Sequence, residues 1–539
     1  MDAATMKDVE LNELEQEKQP MRAAAAGALD GGVEKNGALK IKVADDKEEA
    51  GAEAAAKFTG LSKEELLRVA GTPGWVRTRW ALLVLFWLGW LGMLAGAVVI
   101  IVQAPRCKEL PAQGWWQKGA LYQVGAVGAF QDSDQDGVGD LTGIQQRIDH
   151  LSALKVKGLV IGPIHVTEAD NLQSTNLKEI DLSFGKLENF TRLLEAARKK
   201  GIMVILDLTP NYKGQKAWFE PNVVASSDFQ NKMKEALSYW LELGVAGIQL
   251  GGIEQLNATD LLEDWRNLTS NYSSEGKARV LLAFTDEEDI KRTLMSVNET
   301  SVDVVSSRYL LNLTEAPIGS AVASRIQSYV DAAGQRWLSW SVGGRTVGHM
   351  ASLVQERLLH LYHIMLFTLP GTPFTNYGDE IGLQDLPGQP AQSTGPVMHW
   401  DESENFGFSL KKLQQPDINA NISVKMQDAD KQSVLHLYKR LSELKSKERS
   451  LLHGEFQLIP SDSSVYAFQR SWDQNDRFIT VLNFANTECS ARLTYNLLPS
   501  EATVVLSSDP QRKEGQVILS SLQLAPTEGL LLKFPYTPS

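Results

Sequence analysis

Cysteine is nearly absent from this chain of 539 residues, which carries only Cys107 and Cys489. Neither a disulfide framework nor a cysteine-based zinc site can be built from two cysteines. Basic residues are also too few for a nucleic-acid binder, since the net charge is −13 and phosphate contacts need a basic face. Hydrophobic residues make up 43%, enough for a sizeable core, so packing should stabilise the chain, without a required cofactor.

Aromatic residues are almost missing from the first 58 positions, which are rich in Ala, Glu, Lys and Gly. Such a composition cannot bury enough surface to offset its ordering entropy, so we predict disorder there. Ser62 and Glu65 then form a capping-box pattern, which predicts a short helix from Leu61 to near Gly71. We assign residues 1–79 to a cytoplasmic tail.

Charge is absent from the stretch Trp80 to Val102. At 1.5 Å per residue it is about 34 Å long, which is enough to cross a bilayer. A cleaved signal peptide would lie at the extreme N-terminus, so we predict a permanent transmembrane helix over 80–102. Gly92 and Gly96 form a Gly-x-x-x-Gly face that lets another helix approach closely, although glycine is common in membrane helices for other reasons.

The glycosylation sequons give the orientation, because all seven follow the apolar stretch and none precedes it. The C-terminal part is therefore predicted to be extracellular, which makes the chain a single-pass type II protein of the plasma membrane. The candidate glycosylation sites are Asn189, Asn257, Asn267, Asn271, Asn298, Asn312 and Asn421.

Strand-like apolar runs alternate with amphipathic helical patterns for almost 300 residues after a predicted stalk, 103–114. Eight such runs predict a (β/α)₈ TIM barrel over 115–453, in the α/β class. Short alternating strands from about Glu455 predict a C-terminal antiparallel β-sandwich over 454–539. The eight runs begin at Ala120, Gly158, Ile202, Gly247, Val280, Val302, Arg336 and Thr372.

Two segments carry a family resemblance. The stretch 115–165, WWQKGALYQV through GLVIGPIH, is similar to the opening of the barrel of the α-amylase-family glycoside hydrolases. The stretch LFTLPGTPFTNYGDEIGL, from Leu366 to Leu383, is similar to its eighth strand and the turn that follows. Together with the C-terminal β domain, the resemblance covers about 420 residues and implies the same fold.

The catalytic positions of that family have changed in this chain. Such hydrolases need a carboxylate nucleophile and a carboxyl general acid across the glycosidic bond. Asp207 and Asn211 are kept, but Asp207 lacks a partner acid and is interpreted as a structural relic. The resemblance therefore implies no catalytic residues and no enzyme activity. The changed positions are Tyr212 for His, Gln249 for Arg, Gly251 for the nucleophile, Ala283 to Thr285 for the acid and Trp340 to Val342 for Asn-His-Asp.

A membrane-anchored, glycosylated, non-catalytic amylase-like domain resembles the heavy chains of heteromeric amino-acid transporters. The short spacing from Asp207 to Gly247 leaves no room for an inserted loop domain, and this favours the cell-surface antigen type. The resemblance implies a multi-span light chain as partner and a role with integrin β subunits, beside membrane lipid. Two alternatives are an active membrane-bound glycosidase and a carbohydrate-binding or adhesion receptor that uses the old cleft.

An acidic loop carries the spacing of half a calcium loop. Its alternating carboxylates and one backbone carbonyl predict a structural calcium site, although the bidentate Glu expected at its twelfth position is replaced by Gly143. A solvated acidic turn without an ion is the alternative, and the sequence does not decide between them. The candidate ligands are Asp132, Asp134, Asp136, Val138 and Asp140.

Cys107 lies five residues beyond Val102, on the side that the sequons place in an oxidising environment. A lone exposed thiol there is expected to pair, and the heavy-chain family carries a cysteine just outside its span for linkage to the light chain. We predict an intermolecular disulfide at Cys107. An internal bridge to Cys489 would have to tie the β domain to the stalk, with Cα atoms within about 7 Å.

Overall fold

A computed structural model describes residues 62–103, 107–214, 216–256, 259–289, 292, 302–307, 309–310, 318–334, 336–388, 395–413, 419–495 and 498–537. The chain divides into two compact units, Met1–Ala104 and Pro105–Ser539. The tail predicted to be disordered lies outside the described residues.

The first unit contributes two helices, α1 over Lys63–Ala70 and α2 over Pro73–Gln103. The predicted capping box is present before α1, where the Glu65 N–H donates to Ser62 Oγ and the Ser62 N–H donates to the Glu65 carboxylate. Helix α2 is longer than the predicted span because Arg77 and Arg79 interrupt the apolar run without interrupting the helix. Its length and composition would let it cross a membrane, and none of its residues is buried within the chain.

The second unit begins with a barrel of eight parallel strands, which confirms the predicted fold and all eight predicted strands. Their order in the sheet is β8-β7-β6-β5-β2-β1-β10-β9. The strands are β1 Leu121–Val124, β2 Gly158–Ile161, β5 Met203–Asp207, β6 Gly247–Gly251, β7 Val280–Thr285, β8 Val304–Ser307, β9 Ser339–Trp340 and β10 Thr372–Asn376.

Amphipathic helices cover the outside of these strands. Helix α5 buries Phe190, Leu193 and Ala197 at helical spacing, as the sequence pattern predicts. The helices described in this unit are α3 Leu141–Gln146, α4 Ile148–Ala153, α5 Leu187–Lys199, α6 Pro221–Val224, α7 Ser227–Leu243, α8 Thr259–Asn271, α9 Gly319–Ala333, α10 Met350–Leu353, α11 Leu359–Thr368, α12 Val424–Ala429, α13 Val434–Lys447 and α14 Arg449–Leu452.

Hydroxyl groups join the two end strands of the barrel, β8 and β9. Ser339 Oγ donates to the Val305 carbonyl at 2.6 Å, and Ser341 Oγ donates to the Ser307 carbonyl at 3.1 Å. Ser306 Oγ lies 3.1 Å from Ser341 Oγ. Within the described residues, these side chains supply the polar contacts that a backbone ladder supplies elsewhere in the sheet.

A hairpin that the sequence pattern did not predict follows β2. It consists of β3, His165–Glu168, and β4, Asn171–Ile180, which pair antiparallel through an irregular register. Its residues are largely polar, and exposed, half-buried and buried positions are mixed along both strands, so no apolar run marks them as strands. Tertiary contacts rather than a local pattern hold it in place, and these include the Trp240 indole donating to the Leu177 carbonyl.

The C-terminal part is antiparallel, as predicted. A six-stranded sheet in the order β11-β12-β13-β18-β15-β16 accompanies a two-stranded sheet, β14-β17, and both contribute to one apolar core. The strands are β11 Glu455–Ile459, β12 Val465–Ser471, β13 Arg477–Asn483, β14 Cys489–Ala491, β15 Glu501–Ser507, β16 Gln516–Ile518, β17 Leu522–Leu524 and β18 Gly529–Phe534.

Candidate functional sites

Asp207 ends β5 at the carboxyl end of the barrel, where barrel enzymes place their catalytic groups. Its side chain is buried and fully engaged: Oδ1 accepts the Thr209 N–H at 2.9 Å and the Thr209 hydroxyl at 2.5 Å, while Oδ2 accepts the Gln249 amide at 3.1 Å. Burial raises its pKa, against the opposing charge of Arg345. These bonds hold the carboxyl in place as a structural group.

Gly251 occupies the position where the resemblance places the nucleophile. Its N–H donates to Thr209 Oγ1 at 2.8 Å, and a Cβ atom added to Gly251 would lie 3.0 Å from that oxygen. The space for a nucleophile side chain is therefore taken by the Thr209 hydroxyl, which also binds Asp207. The fourth-strand motif, which ends at Gly251, could not reveal this contact, because Thr209 belongs to the segment that follows β5.

The third-strand positions, Asn211 and Tyr212, support the unpredicted hairpin. Asn211 Nδ2 donates to Asp170 Oδ1 at 2.8 Å, and Asn211 Oδ1 accepts the Asp170 N–H at 3.0 Å. The Tyr212 hydroxyl donates to the His165 carbonyl at 3.1 Å, and the two rings meet edge to face. Both side chains therefore bind other groups of the protein.

Two further carboxylates lie near the end of β7, and the sequence analysis missed them. Asp286 directly follows Thr285, and its Oδ1 accepts the Thr346 hydroxyl at 3.1 Å. Burial raises the pKa of Glu254, and the nearby Asp286 charge raises it further. Extending the fifth-strand motif, Ala283 to Thr285, by one residue would have found Asp286. The position of Glu254 near Asp286 could not be predicted in this way, because it depends on the fold.

The acidic loop brings together three of the five predicted calcium ligands. Carboxylate oxygens of Asp132, Asp134 and Asp136 all lie within 4.8 Å of one another. Asp132 is buried, and its oxygens accept the N–H groups of Gln135 and Gly137 at 2.7 and 2.8 Å. Burial raises the pKa of Asp134, and the charges of neighbouring aspartates add to that rise.

Asp140 lies outside this cluster and caps α3 instead. Its Oδ1 accepts the Gly143 N–H at 2.9 Å and the Ser133 hydroxyl at 2.9 Å, and its Oδ2 accepts the Ser133 N–H at 2.7 Å. Val138 is partly exposed beside the loop. The Lys411 ammonium donates to the Asp136 carbonyl, so a positive charge already lies against the loop.

Neither cysteine forms a disulfide within the chain. Cys107 is exposed, whereas Cys489 is half-buried in β14, in register with Leu524. Burial raises the pKa of the Cys489 thiol. Gly92 and Gly96 lie in α2 with nothing within 4 Å of an added Cβ, so this face is open to a neighbouring helix.

The sequons fall into three groups. Asn267, Asn271 and Asn421 are exposed. Asn189 is half-buried in α5, where Nδ2 donates to the Thr142 hydroxyl at 2.8 Å and Oδ1 accepts the Lys186 N–H at 2.9 Å. The third group lies outside the described residues and comprises Asn257, Asn298 and Asn312.

Two family models match the chain. The model described as Solute carrier family 3 member 2 N-terminus matches residues 42–122, and the model described as Alpha amylase, catalytic domain matches residues 127–235 and 324–454. The first match covers α2 and the stalk, and the second covers most of the barrel.

Relatives of known name and a solved structure agree with these models. Amino acid transporter heavy chain SLC3A2 of Oryctolagus cuniculus is 51% identical, with 98% of each chain covered. Amino acid transporter heavy chain SLC3A1 of Homo sapiens is 27% identical over 88% of this chain and 85% of its own length. The structure of Bacillus licheniformis trehalose-6-phosphate hydrolase aligns with a TM-score of 0.65 at 18% identity, over 79% of this chain and 100% of that one.

Proposed function

Because this chain belongs to the family of SLC3A2 amino acid transporter heavy chains, we propose that it is the accessory subunit of a heteromeric amino-acid transporter. In this role it brings a multi-span light chain to the plasma membrane and stabilises it there. The observation that best supports this role is that the described part of the chain has one helix able to cross a membrane, α2, and a barrel with Gly251 at the hydrolase nucleophile position. One span cannot itself line a transport path, so the path is proposed to belong to the partner.

Helix packing supplies the first contact of the proposed pair. Lipid gives no hydrophobic drive between helices, so association depends on close backbone approach at small residues. Gly92 and Gly96 offer such an approach, since an added Cβ at either would meet nothing within 4 Å. A light-chain helix is therefore proposed to lie against this face of α2.

A disulfide at Cys107 supplies the second contact. The thiol is exposed and has no partner in the chain, and Cys489 lies within a β strand. Thiol–disulfide exchange with an oxidising dithiol protein would form the bond. In that exchange the two subunit thiols lose two electrons and two protons, and the oxidant's disulfide is reduced to two thiols.

The proposed orientation is type II, with the N-terminus cytoplasmic and the second unit outside the cell. The seven sequons after α2 support it, and three of them are exposed on the second unit. Membrane lipid would then surround the apolar side chains of α2 that no protein group covers. Contact with integrin β subunits is proposed on the family resemblance alone.

Copurification of a tagged, co-expressed light chain tests the subunit proposal. We expect the light chain to copurify with the full heavy chain in detergent, in a larger species that reducing agent separates. Cys107→Ser should abolish the larger species, and Cys489→Ser should leave it intact. Gly92→Leu with Gly96→Leu should lower the light chain recovered under reducing conditions, while Ala97→Leu, about 100° around the helix from Gly96, should not. Failure of the unmodified chain to retain any light chain would refute the proposal.

Absence of hydrolase activity is part of the same proposal. Asp207 is bound by Thr209 and Gln249, and the position that should carry its partner carboxylate is Gly251. Paired carboxylates lower the barrier of glycoside hydrolysis, and one engaged acid cannot replace them. The receptor alternative lacks a specific observation in its favour, because Asp207, Thr209 and Gln249 of the old cleft already bind one another.

We further propose that the acidic loop holds a structural calcium ion. The mutually close oxygens of Asp132, Asp134 and Asp136 are hard ligands of the kind that calcium prefers. Concentrated negative charge supports cation binding, and Val138 would contribute its carbonyl. Asp140 already accepts three hydrogen bonds, so its role would be to hold the loop rather than to bind the ion.

Calcium titration of the full chain, followed by calorimetry and melting temperature, tests this site. Binding heat and a raised melting temperature are expected, and Asp134→Ala should remove both. Lys411→Met should strengthen binding because it removes the positive charge beside the Asp136 carbonyl. A titration without heat or shift would establish the alternative, a solvated acidic turn.

A further inference from the structure

The stalk is attached to the C-terminal β domain at the residue that follows Cys107. The Lys108 N–H donates to Asp473 Oδ2 at 3.0 Å, and the Lys108 ammonium lies 3.4 Å from Glu455 Oε1. The same ammonium lies 4.8 Å from the centroid of the Trp472 ring. We call these contacts of Lys108 with Asp473, Glu455 and Trp472 the stalk latch.

The β-domain side of the stalk latch is rigid. Trp472 is buried, and its backbone N–H donates to Ser450 Oγ at 3.1 Å. Its carbonyl accepts the Asn475 N–H at 2.9 Å, which closes the turn between β12 and β13. Asp473 has a φ of 45°, a left-handed conformation that Asp tolerates better than most residues. The fold therefore sets the backbone position of Asp473, whose carboxylate accepts the Lys108 N–H.

The contacts differ in strength. The Lys108–Glu455 pair is exposed on both sides, so solvent and salt weaken it. The backbone N–H to Asp473 is a charge-assisted hydrogen bond from a group that cannot change rotamer. Asp473 therefore fixes the main chain one residue from Cys107, and the Trp472 ring orients the lysine side chain.

The stalk is also attached at its other end. The Gly114 N–H donates to Gln117 Oε1 at 2.8 Å, and the Trp115 indole donates to the Ala278 carbonyl at 2.9 Å, beside the start of β7. Only 109–113 lie between the two attachments. Cys107 is thus exposed one residue before a segment, 108–114, whose path is set by both the β domain and the barrel.

From this geometry we infer that Lys108 and Asp473 are positioning residues for the intersubunit disulfide, because they present the Cys107 thiol at the β12–β13 turn. The inference rests on the proposed function for the existence of the disulfide. A thiol held near its partner has a higher effective concentration than one on a free tether. The light chain's cysteine would then have to approach next to the turn Trp472–Asp476.

Asp473 variants can separate the hydrogen bond from the backbone conformation. Asp473→Asn keeps an oxygen acceptor and tolerates the left-handed φ, whereas Asp473→Gly keeps the φ and removes the acceptor. With a tagged, co-expressed light chain, Asp473→Gly should lower the disulfide-linked fraction on non-reducing gels at least threefold. Asp473→Asn should restore it. The matched stalk control is Glu109→Ala, which should have no effect.

Noncovalent association serves as the second readout. The light chain recovered in reductant should be the same for Asp473→Gly and the unmodified chain, because the latch acts on the thiol and not on helix packing. An unchanged disulfide-linked fraction in Asp473→Gly would overturn the inference. Equal losses of disulfide and of noncovalent recovery would overturn it too, since they would indicate a general folding defect.

A spin label distinguishes failure of the latch from failure of the proposed disulfide. A nitroxide on Cys107, in the full chain with Cys489→Ser and without light chain, should report restricted motion that Asp473→Gly releases and Asp473→Asn restores. Should the unmodified chain form no disulfide while the label is still restricted, the proposed linkage fails and the inference fails with it. A freely mobile label in the unmodified chain refutes the latch itself, whatever the gels show.

Discussion

Thr209 lies beside the position where the family resemblance places the hydrolase nucleophile, Gly251. Its hydroxyl donates to Asp207 and accepts the Gly251 N–H, so one side chain fills the space between the two strands. We predict that Gly251→Asp lowers the free energy of unfolding by about 1–3 kcal/mol, because the new side chain crowds the Thr209 oxygen. Denaturant unfolding of the variant measures this. Adding Thr209→Ala to Gly251→Asp should recover part of the lost free energy of unfolding. A Gly251→Asp variant as stable as the unmodified chain would contradict the proposed crowding.

Lys445 makes stability depend on pH. Its ammonium is buried and donates to the carbonyls of Leu369 and Leu451 at 2.7 and 3.2 Å. Burial holds the pKa of Lys445 well below its usual range, and the charge of Arg470 lowers it further. Burial likewise lowers the pKa of Arg470, to about 9. In the folded state the proton is therefore lost at a lower pH than in the unfolded state.

The sign of the pH effect follows from this lowered pKa. Between the folded pKa of Lys445 and its unfolded value of about 10.4, the unfolded state binds more protons, so stability rises as pH rises. We predict that Lys445→Met flattens this rise in thermal unfolding measured from pH 7 to 10. Lys447→Met, an exposed lysine on the same helix, should keep the slope of the unmodified chain. Equal slopes of stability against pH for Lys445→Met and the unmodified chain would show that Lys445 does not cause the pH dependence.

Among the elements, β8 and β9 depend on side chains to close the barrel. Ser339 and Ser341 donate to buried carbonyls of β8, and losing either donor leaves a carbonyl unsatisfied. We predict that Ser339→Ala and Ser341→Ala each lower the free energy of unfolding by about 1 kcal/mol. Denaturant titration of each variant measures this change in the free energy of unfolding. Ser328→Ala, at an exposed position of helix α9, is the control and should change the free energy of unfolding by less than about 0.5 kcal/mol.

The elements also differ in how far their sequences specify them. Barrel strands such as β2 and β7 are mostly apolar, because a strand covered on both faces has no solvent-exposed side. They were predicted at all eight positions. The β3–β4 hairpin was not predicted, because its residues are polar and its stability comes from Asn211 and Tyr212, which are distant in sequence.

For the whole molecule, the barrel has the fold of a glycoside hydrolase. We predict that the purified full chain does not release nitrophenol from a nitrophenyl α-glucoside, or glucose from maltose, above a heat-killed control. The family resemblance places neither the nucleophile nor the general acid at a carboxylate of this chain, and glycoside hydrolysis needs both groups. Turnover that depends on Asp207 and exceeds the control would contradict this.

The sequence by itself determined the elements whose signals are local. Three features can be identified without any long-range contact: the uncharged run that ends at Val102, the eight strand-like runs of the barrel and the glycine at position 251. The tertiary structure alone decided which groups meet: it turned Asp140 into a helix cap, placed Thr209 against Gly251 and brought Lys108 to Asp473. Hydrophobic periodicity reports burial along one segment, whereas a polar contact between residues 365 positions apart depends on the packing of all the elements between them.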